Sequence, residues 1–157
     1  MKSEKRWRYQ CDYCKKWGGS APHMKKHELH CTLNPRRECG MCKIVAGGRD
    51  SDFVQSPLAE IVASLPDPEI LLSSQWDFRN ELASEQTMQT GIQTALSELR
   101  RKTGNCPACM LAALRQRGHC VPMFEGFNYK TESEDALRMW SEDQNRQDYS
   151  HYHGGFY

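Results

Sequence analysis

The chain has 157 residues, of which 38% are hydrophobic, and its mean hydropathy is −0.78. This composition fits one polar domain with room for a small satellite, and it is not polar enough to predict a disordered chain. No apolar run approaches the roughly 18 residues of a membrane-spanning helix. The charged start leads into no apolar segment, which argues against a secretory signal. We therefore expect a cytoplasmic protein with no membrane contact.

The formal net charge of +1 conceals a strong division along the chain. Residues 1–49 contain twelve Lys and Arg against four Asp and Glu, a net charge of +8, and the remaining residues contain nine against sixteen, a net charge of −7. A division of this kind predicts a basic head for a polyanionic partner and an acidic body. We predict a basic arm and zinc finger over residues 1–38, a helical body over 39–148 and an aromatic tail over 149–157.

Four residues near the N-terminus have the spacing of zinc ligands. Cys11 and Cys14 are separated by two residues, so their thiolates can face one ion from a tight turn. His27 and Cys31 are four residues apart, which places them on one face of a helix. Together they predict a tetrahedral structural zinc site. An alternative remains open, in which His23 and His27 bind the metal through a shorter loop.

A wider pattern surrounds these ligands and is carried, in chain order, by Tyr9, Cys11, Cys14, Trp17, Met24, His27 and Cys31. It resembles the ββα zinc fingers in their Cys-Cys-His-Cys form, over residues 7–31. The resemblance implies a two-stranded hairpin packed on a helix, with the metal supplying much of the folding energy. The chain departs from the family at Gly18, where an aromatic core residue is expected one position after Trp17. The following Gly19 makes the approach to the helix flexible.

Basic side chains of the head are candidates for contacts with nucleic-acid phosphates. Trp7 and Tyr9 interleave aromatic surface with them, as in segments that bind single strands. The candidate contacts are Arg6, Arg8, Lys15, Lys16, Lys25 and Lys26. In the alternative interpretation these cations only solvate a small finger.

The helix of the finger offers little for reading bases. Counted back from His27, the base-reading positions fall at Gly19, His23 and Lys26. Glycine cannot read a base edge, and recognition of a duplex usually takes several fingers or a dimer. We therefore expect binding without strong sequence preference.

The body is predicted to be mainly α-helical. A glycine pair suggests a short hairpin over residues 43–55. Pro57 is expected at the first position of a helix that ends at Leu65. Between residues 78 and 102, apolar side chains recur in steps of three and four, which predicts a helix that Gly91 could divide in two.

Glycine, proline and threonine mark the ends of the remaining helices. Gly104 is expected to cap the preceding helix. Pro107 begins the next helix, and Gly118 ends it. Thr131 begins a capping box for a last helix that reaches about Gln147.

A second zinc site is predicted from two further cysteine pairs. Cys39 and Cys42, together with Cys106 and Cys109, resemble the two halves of a treble-clef-like four-cysteine site. The first pair is expected on a knuckle and the second at the start of a helix, whose dipole favours thiolates. The 63 residues between the pairs would make the site a clamp around the intervening helices.

Other chemistries are open for these cysteines. Cys106-Pro-Ala-Cys109 also resembles the thioredoxin active site, which predicts a preceding β-strand. Four cysteines can bind an iron–sulfur cluster, and disulfides are argued against by the lack of an export signal. Cys120, beside His119, is expected to be a small buried thiol rather than a ligand.

No catalytic motif accompanies these sites. The sequence has no phosphate-binding loop, no zinc-protease helix and no serine-hydrolase elbow. We expect a non-enzymatic accessory protein with two structural zinc ions that binds nucleic acid through its basic head, without a small-molecule substrate. A protein–protein adaptor is the alternative, and a thiol-redox enzyme or metal-dependent nuclease is a further one. The layout loosely resembles small bacteriophage zinc proteins, which implies the host cytoplasm and no particular function.

Overall fold

The structure is a computed structural model that describes residues 8–45, 57–68 and 81–153, with the backbone alone at residues 43, 81–89, 123 and 147–153. Several expectations lie outside these described residues. They concern Arg6, Trp7, most of the predicted hairpin over 43–55, the start of the apolar stripe at 78 and the last residues 154–157.

The described chain folds mainly into α-helices, with one small hairpin at its N-terminal end, as the sequence predicts. In chain order the elements are β1 (Tyr9–Gln10), β2 (Trp17–Gly18), α1 (Ala21–His30), α2 (Gly40–Val45), α3 (Leu58–Ser64), α4 (Glu81–Thr103), α5 (Pro107–Arg117), a 3-10 helix (Val121–Met123) and α6 (Tyr129–His153). No helix in the described ranges is both long and apolar enough to cross a membrane.

The hairpin and α1 form a ββα finger. Its strands are antiparallel, with Tyr9 opposite Gly18 and Gln10 opposite Trp17. Met24 lies on the inner side of α1 and is 8% exposed. A Cβ atom on Gly18 would lie only 2.7 Å from the Cε of Met24. Met24 therefore occupies the space of the aromatic residue that is missing at position 18.

Helix α5 is the centre of the body. Every residue from Pro107 to Leu114 is buried, and a helix enclosed on all sides needs apolar neighbours around it. Helices α3 and α4, together with Phe124 and Phe127 before α6, supply them. The described part of the predicted apolar stripe on α4 faces this core. The residues that surround α5 are Leu58, Ile61, Leu65, Ile92, Leu96, Leu99, Phe124 and Phe127.

Glycines with left-handed backbone end α4 and α5, as predicted. Gly104 has a φ angle of +58° and Gly118 has one of +89°, a conformation that costs other residues more than glycine. After α5, the N–H of His119 bonds to the carbonyl of Leu114 over 2.9 Å, which completes a Schellman ending. The prediction of both helix ends is confirmed.

Two local expectations are not met in the described residues of the body. Helix α4 runs through Gly91 without a break, because its packing against the core outweighs the cost of about 1 kcal/mol for a glycine in a helix. Residues 43–45 belong to α2 rather than to a hairpin. Helix α3 begins beside Pro57 and ends at Ser64, close to its predicted bounds.

Helix α6 begins upstream of the predicted capping box at Thr131. The Oδ1 of Asn128 accepts hydrogen bonds from the N–H groups of Lys130 and Thr131 over 3.1 and 3.2 Å. In return, the N–H of Asn128 donates to the carboxylate of Glu132 over 3.4 Å. Asn128 is therefore the N-cap, and Thr131 already lies in the first turn. The helix continues to His153, into the predicted aromatic tail.

We expect Leu114→Ala to lower the free energy of unfolding by about 2–5 kcal/mol, because it leaves a cavity at the centre of the core. Leu114 is fully buried, whereas Leu137 is 44% exposed. Leu137→Ala is the matched control and is expected to change stability by no more than about 0.5 kcal/mol. Denaturant unfolding of the zinc-loaded protein measures both. Equal losses would contradict the central position of α5.

Candidate metal centres

The finger brings together the first predicted ligand set. Cys11 follows β1 and Cys14 lies on the next turn, while His27 belongs to α1 and Cys31 is its C-cap. The four ligand atoms lie within 4.8 Å of one another, and the Sγ of Cys14 is 3.1 Å from the Nε2 of His27. Cys11 and Cys31 are buried, and the other two ligands are half-buried. One tetrahedral zinc ion fits this set.

The backbone of the turn directs the thiols of Cys11 and Cys14 toward the same metal position. Lys15 has a φ angle of +60°, and its N–H bonds to the carbonyl of Cys11 over 3.2 Å. The N–H of Cys11 bonds to the carbonyl of Lys16 over 2.8 Å. Burial raises the pKa of Cys14, but hydrogen bonds with the Lys16 backbone and with His27 outweigh it and lower the pKa to about 7. A thiolate is therefore available near neutral pH.

The structure favours one of the two histidine sets. His27 belongs to the ligand cluster, whereas His23 is exposed and lies outside it. The Nδ1 of His30 lies 3.0 Å from the carbonyl of Glu38, so this ring joins α1 to the segment that follows it. The geometry therefore supports the Cys-Cys-His-Cys set.

The second cluster joins the two distant cysteine pairs. The Sγ atoms of Cys39 and Cys106 are 3.7 Å apart, and those of Cys42 and Cys109 are 3.2 Å apart. All four thiols are buried, form no disulfide and lie within 4.8 Å of one another. A single ion with Zn–S bonds of about 2.3 Å suits such separations, whereas an iron–sulfur cluster divides its cysteines among several irons. This cluster could hold one zinc ion.

Both pairs stand at the start of a helix. Cys106 is the N-cap of α5 and Cys109 lies in its first turn, as predicted. Cys39 directly precedes α2 and Cys42 lies within it, so a short helix replaces the knuckle expected for the first pair. Partial positive charge at helix N-termini favours thiolates. The sulfurs are thus stabilised from two sides.

Four buried thiols cannot all ionise without a cation. Hydrogen bonds with Cys109 and Cys39 raise the pKa of Cys106 far above its usual value. Hydrogen bonds with Cys106 and Cys109 lower the pKa of Cys39. The metal-free cluster therefore shares protons among its sulfurs, and zinc binding has to release them.

Arg37 connects the second metal site to the finger, a role that its place in the sequence does not indicate. Its side chain is 6% exposed, and Nη1 donates to the carbonyl of Ala108 over 3.2 Å and lies 3.9 Å from the Sγ of Cys109. Its Nε donates to the carbonyl of His30 over 3.4 Å. A guanidinium at this place compensates part of the charge on four thiolates. In the sequence, Arg37 looks like one more cation of the basic head.

Further hydrogen bonds fix the segment between the finger and the body. Asn34 is 6% exposed, and its Nδ2 donates to the carbonyl of Glu28 over 2.7 Å. The Nε2 of Gln116, on α5, donates to the carbonyls of Thr32 and Asn34 over 2.9 and 3.0 Å. The finger is thereby held at the C-terminal end of α5.

The predicted phosphate contacts lie on the surface of the finger. Arg6 is outside the described residues. The Nζ of Lys15 donates to the carbonyl of Asp12 over 2.8 Å, so this lysine also stabilises the metal-binding turn. The exposed cations among the described contacts are Arg8, Lys15, Lys16, Lys25 and Lys26.

The structure also shows the surroundings of Cys120 and the element that precedes Cys106. Cys120 is exposed, so the prediction of a buried thiol is wrong. The core position is taken by its neighbour His119, which packs edge-on against Phe124 with ring centres 5.3 Å apart. Burial lowers the pKa of His119. Helix α4, rather than the strand of a thioredoxin site, precedes Cys106 in the described chain.

Comparison with known proteins assigns the chain to no family. No protein-family model matches it, and no curated protein or solved structure is significantly similar to it. The likeness to ββα zinc fingers therefore rests on the order of the elements and on the ligand geometry. The resemblance to bacteriophage zinc proteins stays a prediction.

We expect native mass spectrometry of the zinc-loaded protein to show two zinc ions, one for each cluster. Cys42→Ser should lose one ion and lower the Tm, because its site closes a long loop. Cys120→Ser is the matched control, since Cys120 is exposed and belongs to neither cluster. Retention of both ions by Cys42→Ser would contradict the second site.

We expect Arg37→Met to speed the release of zinc to a chelator and to lower the free energy of unfolding by about 1.5–3 kcal/mol for each charged hydrogen bond lost. The adjacent Arg36 is exposed, which makes Arg36→Met the control for loss of one positive charge. If both variants release zinc at the same rate, Arg37 does not support the metal sites.

Proposed function

We propose that this protein is a non-enzymatic, zinc-binding accessory protein that binds single-stranded nucleic acid through its finger without strong sequence preference. The observation that carries the proposal is Trp17, which is 61% exposed on the hairpin of a basic head. An indole in water gains free energy by stacking. Flat aromatic surface beside cations is the usual platform for the bases of a single strand.

Trp17 shares its face of the hairpin with polar and basic side chains. Gln10 lies opposite Trp17 in the strand register, so the two side chains point to the same side. Alternation along the strand brings Arg8 to that side as well. Gly18 marks the other side, which packs against α1. The outer face therefore combines an indole, an amide and a guanidinium.

A cleft on the α1 side of the finger, lined also by the metal ligands Cys14, His27 and Cys31, contains cations from the finger and the body. It measures about 480 Å³ and lies between the finger and the C-terminal end of α5. Lys16, next to Trp17, lines it from the finger, and Arg115 lines it from α5. The Nη1 of Arg115 donates to the Oγ1 of Thr32 over 3.2 Å, which holds the guanidinium near the finger. A strand that stacks one base on Trp17 and passes around the edge of the hairpin would bring a phosphate to these two cations.

Low sequence preference follows from the finger helix. Because α1 begins at Ala21, the residue just before it is Ser20 rather than the predicted Gly19. A single finger with a small side chain at this position makes few base contacts. Stacking and phosphate contacts supply most of the affinity in such a mode.

The metal sites favour a structural use of zinc. Each candidate site offers four protein ligands, so no coordination position is left for a reacting water or substrate. Reduced thiols suit the cytoplasm, or the host cytoplasm if the chain is phage-encoded. No described feature favours the redox or nuclease alternative.

Titration of the zinc-loaded protein with labelled single- and double-stranded DNA and RNA, across about 50 to 200 mM salt, tests the proposal. Single strands are expected to bind more tightly than duplexes, with affinity that falls steeply with salt. Trp17→Ala should weaken binding about tenfold, because stacking of one base contributes about 1–3 kcal/mol. A Lys16→Ala and Arg115→Ala double variant should reduce the salt slope by about 0.7 for each cation removed.

Lys25→Ala with Lys26→Ala removes the same charge from α1 and is the matched control for the double variant. If only this control variant lost affinity for nucleic acid, the interface would lie on α1 rather than on the hairpin and cleft. No binding to any nucleic acid at low salt would overturn the proposal.

A protein–protein adaptor is the second candidate. It is favoured by an acidic groove of about 500 Å³ on the body, where Met139 is 65% exposed. Acidic surface repels nucleic acid, so the groove and the finger suit different partners.

A further inference from the structure

A groove crosses the body between the ends of α2 and α4 and the middle of α6. Its volume of about 500 Å³ lies within the range of pockets that take ligands. The described lining residues include no metal ligand and no residue of the finger. The groove is therefore a separate surface from the one proposed for nucleic acid.

The floor of the groove is apolar. Ile44 and Val45 come from α2, and Ala136, Met139 and Trp140 come from α6. Val45 is 40% exposed and Met139 is 65% exposed. The floor therefore leaves apolar side chains open to water, and methionine adapts its shape to a partner.

Trp140 has an unused hydrogen-bond donor in this floor. Its Nε1 is buried and meets no acceptor among the described residues. Leaving a buried donor without an acceptor is unfavourable. Because this donor is closed off from solvent, an oxygen atom of a docked segment reaches it only when the indole turns toward the groove.

The rim of the groove is acidic. Glu132, Asp135 and Asp143 line it, against Arg100 as the basic residue among the described lining. Arg100 is already held by Glu132 over 2.7 Å. Asp135 forms an exposed pair with Arg138 at 2.9 Å. Exposed pairs contribute little to stability, so a cation of a ligand can compete with Arg138 for this carboxylate. The rim therefore attracts cations and repels phosphates.

We propose that this groove binds the apolar face of a basic amphipathic helix on a protein partner. Large apolar side chains of that helix fill the floor at Met139 and Trp140, and its flanking Lys or Arg side chains face the carboxylates of the rim. The charge of the rim disfavours an acidic peptide and a nucleic-acid strand. The inference does not depend on nucleic-acid binding by the finger, because the two surfaces share no residue.

Synthetic peptides test the chemistry of the occupant. The full-length, zinc-loaded protein is titrated into a labelled Leu/Lys peptide of about 14 residues, four helical turns, with its leucines on one face. One comparison peptide carries Glu in place of Lys, and another has the Leu/Lys composition in a scrambled order. Fluorescence anisotropy is expected to show at least about tenfold tighter binding of the patterned Leu/Lys peptide than of either comparison peptide.

Met139→Asp is the test variant. Because Met139 is 65% exposed, the change does not disturb the core. It also adds negative charge, so a loss of about tenfold or more separates the apolar floor from simple charge attraction. Leu137→Asp adds the same charge on the same helix, outside the groove, and should bind within about twofold of the unaltered protein.

Equal binding of all three peptides would overturn the proposal, and so would equal affinities of Met139→Asp and Leu137→Asp. Sedimentation of the protein alone gives a further check. A dimer that is lost in Met139→Asp would show that a second copy of the chain occupies the groove, which would contradict the proposal. Peptide binding should persist in Trp17→Ala. The peptide experiment therefore tests the groove independently of the nucleic-acid surface.

Discussion

The cluster of Cys39, Cys42, Cys106 and Cys109 is the constraint on which the rest of the structure depends. It joins two segments separated by 63 residues and sets the N-terminus of α5. Ordering so long a loop has an entropic cost that grows slowly with length, and metal–thiolate bonds offset it. Once α5 is placed, α3, α4 and the segment with Phe124 and Phe127 have one apolar surface on which to pack.

Arg37 extends this constraint to the finger. A single buried guanidinium contacts the first turn of α5 through Ala108 and Cys109 and the end of α1 through His30. Gln116 adds hydrogen bonds at the other end of α5. The finger is thereby held by both ends of one helix. This arrangement forms the cleft that brings Lys16 and Arg115 together, although they are far apart in the chain.

The division of charge gives the molecule two surfaces of opposite character. The finger presents Trp17 among cations, and the body presents Met139 and Trp140 among carboxylates. A polyanion is attracted to the first surface and repelled by the second, and a basic helix behaves in the opposite way. The two proposals together describe a protein that brings a nucleic acid and a protein partner together, with zinc supplying rigidity.

The amino-acid sequence by itself determined the features that depend on local spacing. Ligand pairs two or four residues apart, such as Cys11 and Cys14, face one ion through a turn or one helix face. Gly118 ends a helix because a left-handed residue is needed there. The sequence did not reveal Arg37, the groove at Met139 or the cap at Asn128. These depend on which distant elements meet and which competing side chain reaches a backbone group first. The cap at Asn128 is a local competition between side chains of the first turn. In contrast, only the packing of the helices around α5 decided the contacts of Arg37 and the groove, because burial and charge compensation are properties of neighbours in space.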